Sequence, residues 1–115
     1  MNKVSKVAIG VFAIGVIGYF SLQQHMKNEI AADTEACKTL QPAIAADAVI
    51  ADVLRPDNSI FGKYHLARKD VSVDMSGVQI GPTIAMIPFT VSAVPGVPYS
   101  GMPRCSDLTD IEYGN

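Results

Sequence analysis

The chain opens on a nearly unbroken apolar run, Val7–Leu22, which follows Lys3 and Lys6 and gives way to the polar Gln23-Gln24-His25. The next stretch, from His25 to Leu54, is Ala-rich. Ile30, Cys37, Leu40, Ile44 and Ala48 recur in it at spacings of three, four and seven, the stripe of an amphipathic helix. Pro42 lacks a backbone donor and clashes with the turn before it, so it either kinks this helix or starts a second one at its first turn. The pattern predicts helix over 24–39 and 42–54. Arg55-Pro56-Asp57-Asn58-Ser59 then stops the helix and turns the chain. Beyond it the period changes to two: Val71, Val73 and Met75 point one way, Ser72, Asp74 and Ser76 the other, and Ser76-Gly77 reads as a turn. Thr83–Val94 is apolar on both faces, as a central strand is. Pro82 and Pro88 conflict with full pairing there, which suggests a bulge near Pro88. Residues 95–103 read as a loop, and a last strand is expected over Ser106–Tyr113.

The order of elements predicts an α+β fold. An N-terminal transmembrane helix is followed by an amphipathic helix, kinked near Pro42, packed on a small three- to four-stranded antiparallel sheet. Residues 1–23 form the membrane anchor and 24–115 a small exported domain. A spanning helix needs roughly 20 apolar residues. Val7–Leu22 reaches that length when counted out to Val4 and Met26, with Lys6 snorkelling to the interface. The alternative is a cleaved signal peptide and a secreted product. Tyr19-Phe20 and Gln23-Gln24 stand where a cleavage site needs small residues, and Ala31-Ala32 comes late. Lys3 and Lys6 favour a cytoplasmic N-terminus with the domain on the periplasmic side of a bacterial-type inner membrane. Ala8, Gly15 and Gly18 share one face of the apolar helix and offer a seam for self-association in the bilayer.

Charge and cysteines narrow the reading further. Asp and Glu total 11 against 9 Lys and Arg, and Arg68-Lys69 is an isolated basic pair at a strand end, so a nucleic-acid surface is excluded. The 2 cysteines, Cys37 and Cys105, read as a disulfide in an exported chain. Closing a loop of about 70 residues stabilises a small domain by roughly 4 kcal/mol in the chain-entropy model.

No catalytic constellation emerges, and no cofactor is expected. His25 and His65 have no ligand at metal spacing. Asp70 and Asp74 flank Ser72 on the solvent side of a strand, and a pocket uniting two or more of Tyr64, His65, Asp70 and Asp74 would be the mark of an enzyme. Asp107, Asp110 and Glu112 make an acidic last strand without the glycine turn and terminal glutamate of a calcium loop. The most distinctive segment is the loop over 95–103. Its prolines pre-set the backbone, and Val97, Tyr99 and Met102 offer apolar anchors for a protein partner.

An apolar N-terminal helix, an amphipathic continuation, an antiparallel sheet and a disulfide near the C-terminus together resemble the layout of type IV pilins. Val7–Leu22 lacks the glutamate that pilins carry early in that helix. The same layout resembles small membrane-anchored assembly factors of the cytochrome-oxidase type, and no motif selects either family. The function expected is a membrane-tethered periplasmic interaction or assembly module with no catalytic activity of its own, acting through its sheet face or its Pro-rich loop. The alternative is a structural subunit of a pilus-like or envelope assembly.

Overall fold

A computed structural model describes residues 24–115. The membrane anchor, the alternative signal peptide and the small-residue seam all lie outside the described residues. Among the described residues, no helix is long and apolar enough to cross a membrane.

The helical half divides at Pro42. Helix α1 runs over 24–37 and helix α2 over Pro42–Val53, with the proline in the first turn of α2. The chain therefore breaks between two helices and does not kink within one. The missing proline N–H costs nothing there, because first-turn donors have no intrahelical partner. The stripe expected on these helices is buried only in part: Cys37 is buried and Leu40 packs against the core. Ile30 and Ile44 are exposed, whereas Ala45, Ala46, Val49, Ile50 and Val53 are buried against the sheet. In so Ala-rich a helix nearly every face is apolar enough to bury, so spacing alone does not select one.

The turn after α2 is built by side chains. Asn58 accepts from the N–H groups of Ile60 and Phe61, both at 2.9 Å, and donates to the Asp52 carbonyl at 3.0 Å. Arg55 bridges Asp52 and Asp57 at 3.1 and 2.7 Å. Asp52 also accepts from the Tyr113 hydroxyl, which ties the last turn of α2 to the final strand. Burial pushes the Tyr113 phenol far above its ordinary range, and the Asp52 carboxylate adds to the shift.

The sheet is antiparallel, with strands β1 (Val71–Val73), β2 (Gln79–Ile80), β3 (Ala85–Val91), β4 (Tyr99–Arg104) and β5 (Asp107–Gly114). β3 and β4 are central, and β5 is one edge. β1 and β2 share the other flank of β3, separated by a short 3-10 turn at Met75–Gly77. Met75, expected on the apolar side of a strand, is in that turn and 48% exposed.

This interruption, in place of a bulge, is how the central strand accommodates Pro88. The Pro88 carbonyl accepts from Asp74 N–H at 3.0 Å, but proline returns no hydrogen bond. The Asp74 carbonyl left over is taken by Gly77 N–H at 3.1 Å, so the neighbouring strand curls into a turn where the ladder fails. Only glycine fits on top: a Cβ at position 77 would lie 2.9 Å from Pro88 Cγ. Pro103 acts similarly on the β3–β4 ladder, which stops at Ile87↔Gly101 and resumes as an isolated bridge at Ile84↔Arg104.

One sheet face carries Ala85, Ile87, Phe89 and Val91 into the core opposite α2. Phe61 is wholly buried between the layers, edge-on to Phe89, Tyr99 and Tyr113 at centroid distances of 5.6, 5.0 and 5.4 Å. Such edge-to-face contacts add about 0.5–1.5 kcal/mol each beyond area burial.

Candidate functional site

The disulfide expected between Cys37 and Cys105 is present, with Cα atoms 5.0 Å apart. It joins the end of α1 to the β4–β5 turn. Beside it stands a buried carboxylate that the sequence reading passed over. Asp33, 6% exposed, accepts from Arg104 Nε at 3.0 Å, from Ser106 N–H at 3.1 Å and from the Ser106 hydroxyl. The Ser106 hydroxyl holds the Asp33 carboxyl below the ordinary carboxylate range against the opposing effect of burial; Ser106 N–H and Arg104 reinforce it. Arg104 also reaches Asp110 at 3.4 Å. A carboxylate held by Arg104 and by both donors of Ser106 is a clamp, and it doubles the covalent tether between helix and hairpin. The partners lie more than 70 residues from Asp33, as their separations of 71 and 73 show, so no local motif announces them.

The residues expected to anchor a partner are not on one loop. Residues 92–98 form the connection, and Tyr99 and Met102 belong to β4. Val97 is half-buried in the connection. Tyr99 turns inward, stacked on Phe89 at 5.7 Å and edge-on to Phe61. Met102 alternates with the buried Gly101 and Pro103, so it points to the opposite, outer face. The three side chains therefore do not make a single exposed set.

The structure does unite two features that the sequence presents separately. A depression of about 320 Å³ is lined by Ser72, Asp74 and Thr90 from β1, the residue after it and β3, and by Pro88, Pro98 and the strand segments beneath. It lies over the outer face, where Ser72 pairs with Thr90 and Asp74 with Pro88. The polar sheet face and the start of the Pro-rich segment thus share one concavity. Thr90 went unnoticed in the sequence because it lies within an apolar run.

The carboxylates around this face are committed. Asp74 accepts from Ser76 N–H at 3.1 Å and from the Ser76 hydroxyl at 2.6 Å. Asp70 is in a 3-10 turn, Arg68–Asp70, rather than on the strand. It accepts from Ala67 N–H at 2.9 Å and the Ser92 hydroxyl at 3.0 Å, and these bonds lower its pKa, the Ala67 one most. The depression contains Asp74 but not Tyr64, His65 or Asp70. Arg68 pairs with Asp47 at 2.9 Å. His25 pairs with Glu29 at 3.2 Å on α1. Among the described residues, no group of three or more His, Cys, Asp or Glu is arranged to hold a metal ion. Asp107 accepts from Thr109 N–H and hydroxyl at 3.1 and 2.6 Å, so it caps the start of β5.

Set against family models, curated proteins and solved structures, the chain matches none.

Proposed function

We propose that the protein is a membrane-tethered periplasmic interaction or assembly module without catalytic activity of its own. The observation that carries this reading is the outer-face depression. Its lining combines the apolar Pro88 and Pro98 with the hydrogen-bonding Ser72, Asp74 and Thr90, the mix of apolar and polar groups that a protein-binding patch uses. Three further features support it. The Cys37–Cys105 bridge suits an oxidising compartment. The apolar run Val7–Leu22 is fit to anchor the chain. The neighbouring Asp70 and Asp74 carboxylates hold turns together, a structural role.

The test uses the full chain in bacterial membranes, with a photo-crosslinking residue at Thr90, at Ser72 or, as a control, at the exposed Lys63. A discrete adduct from Thr90 and Ser72 but not from Lys63 is expected, on protein that stays in the pellet after carbonate washing and has its full intact mass. Equal labelling from Lys63 would remove the site. Loss of about the first 20 to 32 residues would show a cleaved signal and a secreted protein.

A further inference from the structure

The two edges of the sheet differ. One is blunted: β1 and β2 are 3 and 2 residues long, with the Met75–Gly77 turn between them. The other, β5, is a run of 8 residues without proline. Which of its backbone groups are open follows from Pro103. A proline cannot exchange hydrogen bonds across a pair, so Pro103↔Ile111 is a non-hydrogen-bonded pair of the antiparallel ladder. The register alternates, so Glu112 and Gly114 bond to β4, and the N–H and C=O of Ile111 and Tyr113 point away from it. An open row of this kind is a template for another strand.

The surroundings select the occupant. On the helix side the edge borders a hollow of about 280 Å³ lined by Ala48, Ala51, Leu108 and Thr109, together with Asp52 and Arg55, which pair with each other. On the outer side the edge presents Glu112 and Asp110, both exposed, with Asp110 3.4 Å from Arg104. A second copy is a poor fit. Pairing β5 with itself about Ile111 sets Asp110 opposite Glu112, and pairing about Glu112 sets Glu112 opposite itself. Like charges directly across a ladder are destabilising. A strand carrying lysine or arginine on one face and small apolar residues on the other satisfies both sides.

We propose that the β5 edge accepts an extended basic segment of a partner protein by strand addition, with its Lys or Arg side chains opposite Asp110 and Glu112 and its apolar ones in the hollow beside α2. This builds on the reading of the protein as an interaction module but uses a different surface from the outer-face depression.

The probe is a short peptide of alternating valine and lysine, with the valine–glutamate peptide as comparison, titrated into the full chain in detergent micelles. Binding of the lysine peptide is expected, with slowed hydrogen exchange at the Ile111 and Tyr113 amides and weakening by salt. Glu112→Lys should reduce its affinity roughly tenfold and admit the glutamate peptide. Ile111→Pro removes an outward N–H that β4 does not use and should abolish binding. Glu112→Lys keeps the test decisive if the proline variant folds poorly. No binding, equal binding of both peptides by the wild type, or protection at Ser72 and Thr90 instead of Ile111 and Tyr113 would overturn the proposal. Thr90 crosslinks that persist in the Glu112→Lys variant would show that such a failure belongs to the edge and not to the depression.

Discussion

α2 and the sheet approach closely at Gly101, and this contact makes a prediction whose sign depends on the neighbour. A Cβ built on Gly101 would lie 2.7 Å from Val49 Cγ1 and 3.0 Å from Cγ2, with Val49 wholly buried. The methyl of Gly101→Ala therefore has to displace a β-branched side chain, which is stiff at χ1, or push the helix off the sheet. Overpacking of this kind costs about 1–3 kcal/mol. Val49→Ala alone removes two buried methyl groups. Lost transfer energy is about 0.8 kcal/mol per group, and with the cavity term the total is about 2–3 kcal/mol. Together the two substitutions should not add. The new methyl at 101 occupies the space vacated at 49, and alanine in a strand avoids the roughly 0.5–1 kcal/mol entropic penalty of glycine. In the Val49→Ala background, Gly101→Ala should be neutral or stabilising. Denaturant unfolding of the four proteins of this double-mutant cycle, followed by circular dichroism, reads the coupling directly. If Gly101→Ala still costs 1 kcal/mol or more (~1 kcal/mol being the lower bound above) beside Ala at position 49, the clash does not control the helix–sheet spacing and the reasoning fails.

Tyr99→Ala should destabilise the domain by about 3 kcal/mol, while Tyr99→Phe should be nearly neutral, because the ring packs on Phe61 and Phe89; a melt unchanged by the alanine would mean that Tyr99 is not part of the core. Cys37→Ser should cost about 4 kcal/mol, from a sequence separation of 68 between the bridged residues, and alkylation of protein isolated without reductant should find no free thiol. Asp33→Asn should cost about 2 kcal/mol at neutral pH, by weakening hydrogen bonds to a charged acceptor. Because the folded-state pKa of Asp33 is lowered, the wild-type advantage is complete above the unfolded value of about 3.9 and is lost as pH falls through the folded value, so stability curves of the two proteins should converge in acid. Curves that stay parallel down to the acid limit would show that the Asp33 carboxylate is not ionised in the clamp.

Local chemistry determined some of the element boundaries, but not β4, whose first residues read as a loop. Pro42 marks either a kink or a new first turn, Asn58 and Asp57 turn the chain after Leu54, and the alternation of Val71 and Val73 with Ser72 marks β1 before any contact is known. The Cys37–Cys105 pairing followed as well, because two cysteines admit one intramolecular bridge. Tertiary structure decided the rest. The buried face of α2 was open because alanine satisfies either orientation, and the sheet receives Val49 at Gly101, with Ala45 and Val53 buried on the same helix. Pro88 looked incompatible with a central strand until the partner strand was seen to bend away and supply Gly77 to the orphaned carbonyl. Tyr99 read as exposed within a proline-rich segment, yet antiparallel register with Phe89 turned it inward. Nothing beside Asp33 in the sequence marks it as buried, because the groups that satisfy it, Arg104 and Ser106, lie at the far end of the chain. Proline, glycine and turn residues restrict the backbone at their own position, so a sequence declares them. Which side chain is buried, and what satisfies it, depends on groups brought together only by the fold.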